Sequence, residues 1–251
     1  MPSTKTTNVQ PTVEEIIALL KKTDLPTVIC EGSNDLFVYR RLEDQLSDLG
    51  VSVLPAGGRE NVLQIFNRRR EIPTSVRVVF VADRDTWVNT TVPTEYNVSE
   101  LCLTSGYSIE NDVIIDGELE KILLNSDMER YKKELKKFLD WYALALSRHL
   151  KDKEEPIKNH PKHVLDPKNY QSLIALRSGE DYPQQLRMLI GCNYQMVVRG
   201  KSLLSLLVRN TNNRKEQPKY TDKALLELVA VKPGKLLTKI AKQIEAVFKS
   251  P

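Results

Sequence analysis

The sequence has little of what marks an exported or membrane protein. Its three cysteines, Cys30, Cys102 and Cys192, are far apart and form no Cys-x-x-Cys pair. This pattern favours small core residues in a reducing compartment over disulfides or a zinc site, so we expect a cytoplasmic protein. No stretch approaches the roughly 18 consecutive apolar residues that a membrane span requires. We therefore expect no membrane partner. Residues 1–11 are polar and lack the apolar core of a signal peptide, so nothing in them marks the chain for export.

The composition predicts a folded chain with unevenly distributed charge. Hydrophobic residues make up 41% of the 251 residues and charged residues 28%, which excludes a disordered chain and suits one large domain or two small ones. Residues 1–116 hold 11 Lys and Arg against 17 Asp and Glu, whereas residues 117–251 hold 26 against 16. We therefore expect an acidic region over 1–116 and a basic one over 117–251. The basic excess suits a polyanionic substrate, and equally a solvated lysine-rich helical surface.

Short apolar runs alternate with helical patterns in the first region. We predict strands over 27–30, 51–54, 76–82 and 98–103, separated by helices over 34–49 and 60–70 and preceded by a helix over 11–22. This β-α-β-α-β order with short connections predicts an α/β fold, a Rossmann-like parallel sheet flanked by helices. After residue 116, helical patterns over 119–150, 184–209 and 221–249 predict a mostly helical extension. Three prolines over 151–167 predict a loop there.

Acidic residues follow two of the predicted strands. Glu31 comes directly after the first strand, and Asp83 and Asp85 come after the third. Ligands of parallel α/β sheets bind at the carboxyl ends of the strands, so these side chains would meet if the two strands are neighbours. Crowded carboxylates repel one another unless a cation lies between them. Oxygen ligands of this kind suit magnesium or manganese.

Four motifs over roughly residues 27–115 resemble one family of proteins. They are Glu31-Gly32-x-x-Asp35, Gly57-Gly58-Arg59-x-Asn61-Val62, Asp83-Arg84-Asp85 and Tyr107-Ser108-Ile109-Glu110-Asn111. In this order, at strand ends, they resemble the TOPRIM nucleases of the OLD (overcoming lysogenization defect) type. Gly200-Lys201-Ser202 is a weaker match to a Gly-Lys segment of freestanding relatives.

The resemblance implies a TOPRIM-like fold and metal-dependent cleavage of phosphodiester bonds in DNA or RNA, possible substrates including tRNA. Two Mg²⁺ or Mn²⁺ ions would stabilise the attacking and leaving oxygens. In this resemblance the metal ligands are Glu31, Asp83 and Asp85, and a second ion is held by Asp35 and Glu110. Lys201 would be a cation that stabilises the transition state. The substrate would be contacted by Gly57, Gly58, Arg59 and Arg84.

Partner proteins are a second implication of the resemblance. OLD-type nucleases are usually coupled to an ABC-type ATPase, but Gly200-Lys201-Ser202 lacks the upstream glycine of a Walker A motif. A separate ATPase is therefore expected, as in the two-component PARIS anti-phage defence systems, whose freestanding nuclease subunit the chain resembles. A homodimer is a further candidate assembly. We expect the helix around Lys132–Lys137 to dock a partner protein, because its charges alternate with the apolar positions Leu135, Phe138 and Leu139. Alternatively, its lysines hold the backbone of a nucleic acid, or its apolar stripe only packs on the protein's own sheet.

Each candidate residue also has a structural interpretation. Among the acids, Glu31 could cap a helix, Asp83 and Asp85 could be ordinary loop residues, and Asp35 and Glu110 could lie in the first turn of a helix. The glycines Gly57 and Gly58 could serve a turn. The side chains of Arg59 and Arg84 could pair with nearby acids. Two other functions stay open. One is a TOPRIM domain kept for binding or assembly without catalysis. The other is a haloacid-dehalogenase-like phosphatase with Asp83 as nucleophile, which would need a later strand ending in paired acids.

Overall fold

The structure is a computed structural model that describes residues 10–32, 36–211 and 219–250. The chain forms two compact units. The first contains the described residues up to Asp83, residues 92–104 and those from Thr238 onward; the second contains residues 84–91 and the described residues between Ser105 and Leu237. The prediction that residues 1–116 carry the metal-binding catalytic site and residues 117–251 bind a partner or nucleic acid stays a prediction. Across the described ranges, no helix is both long and apolar enough to cross a bilayer.

A four-stranded sheet forms the centre of the first unit. Its strands are β1 (Thr27–Cys30), β2 (Ser52–Pro55), β3 (Val78–Ala82) and β4 (Leu101–Leu103). All neighbours are parallel and the order is β2-β1-β3-β4, which confirms the predicted α/β class and parallel sheet. Every residue of β1 is buried, and so is β3 after its first residue. Apolar runs without alternation are what strands covered on both faces require.

The strand order places a topological switch point between β1 and β3. From β1 the chain moves to β2 on one side, and then returns to β3 and β4 on the other. Thr27 pairs with Val78 and Ile29 with Phe80 in this central register. In open α/β sheets, the crevice for a ligand lies outside the carboxyl ends of the strands at such a point.

Helices α1 (Val13–Leu20), α2 (Leu36–Gln45) and α3 (Arg59–Asn67) belong to the first unit. Helix α1 lies inside the predicted range of 11–22 and is capped by Thr12. The Glu15 carboxylate accepts from the Thr12 N–H at 2.8 Å, and the Glu15 N–H donates back to the Thr12 hydroxyl at 3.2 Å. This reciprocal cap satisfies two backbone donors at the end of the helix.

The second unit is helical. Its elements are α4 (Ile109–Asp116), α5 (Asn125–Lys151), α6 (Pro161–Val164), α7 (Pro167–Leu173), α8 (Gln184–Cys192), α9 (Tyr194–Val197), α10 (Gly200–Thr211), α11 (Asp222–Val231) and the start of α12 (Lys235–Lys249). Along α5, Leu135, Phe138 and Leu139 are at most 7% exposed. The apolar stripe of α5 is therefore buried inside its own unit, which removes the argument for docking that rested on it. The elements that α5 mainly contacts are the helices α8 and α10, not the sheet that the alternative interpretation named.

Residues 151–167 are less irregular than their prolines predict. Pro161 and Pro167 are the first residues of α6 and α7, a position where the missing N–H of proline costs nothing. The side chains of His160 and Asp166 accept the backbone N–H groups of Lys162 and Lys168, at 3.1 and 2.9 Å. The predicted loop is present over 152–160, but the prediction was wrong from residue 161 onward because these two prolines begin helices.

Candidate active site

Two of the predicted acidic residues meet at the switch point of the first unit. Glu31 follows the last residue of β1, and Asp83 follows the last residue of β3. The Glu31 Oε1 atom accepts a hydrogen bond from the Asp83 backbone N–H at 2.6 Å. The two strands are neighbours, which is the condition that the sequence argument set. A bond from a backbone amide to a charged carboxylate is short and directional, so it fixes the Glu31 side chain at the end of β3.

The glycine loop before α3 lies beside the same strand ends. Gly57 and Gly58 have φ angles of 86° and 147°, which residues with a side chain rarely adopt. Gly58 precedes α3, and Arg59 is its first residue. The Arg59 Nε donates to the Asp83 carbonyl at 2.8 Å. These contacts give the glycines a role in the turn and Arg59 a role in holding the segment after β3; their contacts with substrate stay predictions.

Asp85 belongs to the second unit and has an uncommon backbone. Its φ is 52°, a left-handed conformation that aspartate tolerates better than most residues. Its N–H donates to the Tyr107 carbonyl at 2.7 Å. Because β3 ends at Ala82, strand alternation does not set the direction of the Asp85 side chain. Asp83 and Asp85 are therefore not related by the two-residue period of a strand.

The Asp85 carboxylate lies in a largely buried setting. Its Oδ1 atom is buried and makes no hydrogen bond of normal geometry to any residue that the structure describes. The Lys158 ammonium lies 3.9 Å from the other oxygen. Burial raises the pKa of the Tyr107 hydroxyl well above its ordinary value, and the negative charge of Asp85 raises that pKa further. A hydrogen bond between the Tyr107 hydroxyl and the Asp85 carboxylate acts in the same direction, so this carboxylate has a donor within reach.

Glu110 and Lys201, which are 91 positions apart in the sequence, meet in the second unit. Glu110 lies in the first turn of α4 and is 1% exposed. Its Oε2 accepts a short hydrogen bond from the Ser108 hydroxyl. The Lys201 Nζ lies 3.5 Å from Oε1. A buried carboxylate needs such a counter-charge, so Lys201 neutralises Glu110.

Gly200 explains how α10 brings Lys201 to this position. A Cβ atom added at Gly200 would lie 2.6 Å from the Asn111 Oδ1 and 2.6 Å from the Ser108 Oγ. Real Cβ atoms do not approach other atoms so closely, so α10 could not begin this close to α4 with any other residue. Gly200 thus allows α10 to pack closely against α4, and Lys201, the next residue, places its ammonium group beside Glu110.

Sequence reasoning missed a buried polar network in the first turn of α4. The Asn111 side chain donates to the carbonyls of Gln195 and Val198 at 2.6 and 2.8 Å. Asp112 accepts the N–H groups of Ser105 and Gly106 at 2.9 and 2.7 Å. The signal available in the sequence was the unbroken polar run Glu110-Asn111-Asp112 inside an apolar pattern.

Burial dominates the protonation of Asp112. It raises the pKa of this carboxyl to about 6, although the two backbone hydrogen bonds and the positive charge of Arg84 act in the opposite direction. Arg84 therefore stabilises the charged form of Asp112, which agrees with its interpretation as a residue that pairs with acids. Its contact with substrate stays a prediction.

Asp35, a predicted ligand of a second ion, lies outside the described residues. Among the residues that are described, no group of three or more His, Cys, Asp or Glu side chains is arranged to hold a metal ion. Neither a protein-family model nor a curated protein sequence matches the chain significantly.

Proposed function

We propose that the chain is a divalent-metal-dependent nuclease that cleaves phosphodiester bonds in DNA or RNA. The observation that carries the proposal is the pair Glu31 and Asp83 at the switch point between β1 and β3, joined by a 2.6 Å hydrogen bond. A parallel sheet places its ligand site at this position, and the residues that follow both central strands are carboxylates. A role as ordinary loop acids would not require them at this position.

The donor chemistry of these residues fits a hard divalent cation. Glu31 and Asp83 supply carboxylate oxygens, which magnesium and manganese prefer. The role of Asp85 as a further ligand stays a prediction. When bound, the metal would supply Lewis-acid stabilisation of the phosphate charge.

Lys201 would act on the substrate as a cation that Glu110 positions. The Lys201 side chain is 46% exposed, whereas Glu110 is buried beneath it. An ammonium group anchored at one side and open to solvent at the other can neutralise a phosphate oxygen. In this arrangement Glu110 already has a counter-charge. That Glu110 and Asp35 also bind a second metal ion stays a prediction. The number of divalent ions bound per protein molecule would test it.

The rival phosphatase function has less support. It needs a strand after β3 that ends in paired acids. The one described strand that follows β3 is β4, and Thr104 and Ser105 come after it. A separate ABC-type ATPase, a homodimer and a role as effector in anti-phage defence belong to the proposal and rest on the family resemblance.

Cleavage assays test the proposal. We would incubate the protein, alone and after release from any partner, with plasmid DNA, single-stranded DNA and bulk tRNA in Mg²⁺, Mn²⁺ or EDTA. We expect at least one substrate to be cut with metal and none in EDTA. Glu31→Gln should lose this activity, whereas Glu60→Gln, at a side chain that is 83% exposed, should keep it. If neither the protein alone nor the protein released from a partner cleaves any substrate in the presence of metal, the proposal of a nuclease is wrong.

A further inference from the structure

A pocket in the second unit has no role in the proposed chemistry. Helices α5, α7 and α8 and the segment between the last two enclose an open cavity of about 520 Å³. Its apolar walls are Tyr170, Ile174, Tyr182 and Met188, and Lys136 and Arg187 lie among its polar lining residues. A volume in this range accommodates a large side chain or a short segment of a ligand.

The walls of this pocket are held in place by hydrogen bonds. The Tyr182 hydroxyl donates to the Asp140 carbonyl at 2.9 Å, and the Tyr170 hydroxyl donates to the Lys137 carbonyl at 3.4 Å. The Arg187 Nε donates to the Asp140 carboxylate at 2.7 Å. Both aromatic rings are therefore fixed before any ligand arrives. A preformed site lowers the entropy that binding must offset.

Exposed apolar side chains accompany the pocket. Met188, one of its walls, is 59% exposed, and the neighbouring Leu189 is 70% exposed. Leu176, between α7 and α8, is 49% exposed. Single exposed apolar residues need no explanation, but three in fourteen positions beside a concave pocket are typical of an interaction surface. Methionine suits such a surface because its flexible side chain adapts to a partner.

A row of lysines on α5 adds positive charge. Lys132, Lys133, Lys136 and Lys137 are all exposed, and Lys136 lines the pocket itself. Within the described ranges, none of the four pairs with a carboxylate; the Lys137 ammonium instead lies 5.8 Å from the centre of the Tyr170 ring. The row therefore leaves uncompensated positive charge that an acidic ligand would complement.

We propose that this pocket docks a protein partner, which inserts an apolar side chain between Tyr170 and Met188 and places acidic residues against the α5 lysines. Protein interfaces need an apolar core, and the exposed Met188 and Leu189 supply one. A nucleic acid fits less well, because Asp140 lines the pocket and already engages Arg187. The proposal concerns binding and does not depend on nuclease activity.

A display selection tests this proposal with the full-length protein. A library of random linear peptides would be selected on the immobilised protein and its members measured by fluorescence polarisation. We expect selected peptides to share an apolar residue flanked by Asp or Glu, and their affinity to fall as salt rises. Met188→Glu with Leu189→Glu should weaken binding by about tenfold or more, as loss of a central anchor does. Lys132→Glu with Lys136→Glu should weaken it by about three- to tenfold.

Two control variants separate the pocket from general surface effects. Leu228→Glu changes an apolar residue that is 67% exposed on α11, and Lys151→Glu changes an exposed lysine at the end of α5; neither lines the pocket. Both should bind the peptides as wild type does, and all variants should keep the wild-type melting temperature. Failure to select acidic peptides with an apolar anchor, or equal binding by the Met188 and Leu189 variant, would overturn the proposal. The proposal would also be overturned if a single-stranded RNA oligonucleotide bound the protein, the lysine variant weakened that binding, and the Met188 and Leu189 variant left it unchanged.

Discussion

The two units hold their key carboxylates by different means. In the first, Glu31 is oriented by a backbone amide at the end of the neighbouring strand. In the second, Glu110 is oriented by the Ser108 hydroxyl and by the Lys201 ammonium, a charge from a distant part of the chain. A carboxylate fixed by the backbone keeps its negative charge available to a cation. A carboxylate neutralised by lysine instead positions that lysine.

Under the proposed function, the two carboxylates have different tasks. Glu31 would bind the ion, and Glu110 would anchor the cation that faces the substrate. Removal of the Glu31 charge should therefore change activity and leave stability intact, whereas removal of the Lys201 charge should change both.

The largest effect is expected at the carboxylates of the first unit. Glu31→Gln should lower the metal-dependent cleavage rate by about 100-fold or more, as removal of one electrostatic group from an active site does. The amide oxygen can still accept the Asp83 N–H, so the melting temperature should stay close to that of wild type. Initial rates at saturating Mg²⁺ and thermal unfolding measure the two quantities. If Glu31→Gln unfolds the protein, the residue is structural.

Asp112 offers a second comparison, because backbone amides hold it as they hold Glu31, but it is fully buried. Its pKa is raised from 3.8 to about 6 in the folded protein, so folding favours the protonated carboxyl. Its contribution to stability should be fully present below pH 3.8 and lost as the pH rises through about 6, by up to about 3 kcal/mol. Urea unfolding of wild type and Asp112→Asn across this range measures the loss. A difference between the two proteins that does not change with pH would contradict the assignment.

Gly200→Ala tests how α10 delivers Lys201. The added Cβ would meet Asn111 and Ser108 at 2.6 Å, so the helix must shift, and we expect a loss of about 1–3 kcal/mol in unfolding free energy. Gly191→Ala is the matched control, because its Cβ would meet only the end of the Arg187 side chain, at 2.8 Å. Chemical denaturation compares the two. Equal stability of both variants would show that α10 does not need this close approach.

Lys201→Met should destabilise the protein less than the Asp112 and Gly200 changes, but more than Glu31→Gln. It leaves Glu110 buried without its cation, and because Lys201 is 46% exposed we expect a loss of only about 1–2 kcal/mol. Lys201→Arg should restore this stability, because it keeps the charge. If Lys201→Met and Glu31→Gln have the same effect on stability, the two carboxylates do not differ as described.

The sequence predicted the first unit better than the second for a physical reason. Glu31 and Asp83 are placed by local rules: an apolar run ends, a carboxylate follows, and short connections make the two strands parallel. The adjacency of β1 and β3 does not follow from chain order, which would also allow β2 to lie between them; the structure shows it. The contact of Lys201 with Glu110 depends on the packing of α10 against α4, which no local pattern encodes. The helices at Pro161 and Pro167 were missed because proline both ends and begins helices.

Manganese binding tests the central claim most directly. Free Mn²⁺ would be measured by electron paramagnetic resonance in titrations of wild type, Asp83→Asn and the control Glu60→Gln. We expect wild type and the control to bind Mn²⁺ equally and Asp83→Asn to bind it at least about tenfold more weakly, since even residues that only support metal ligands carry effects of this size. Absence of Mn²⁺ binding by wild type, or equal binding by Asp83→Asn, would contradict a metal site at the switch point between β1 and β3.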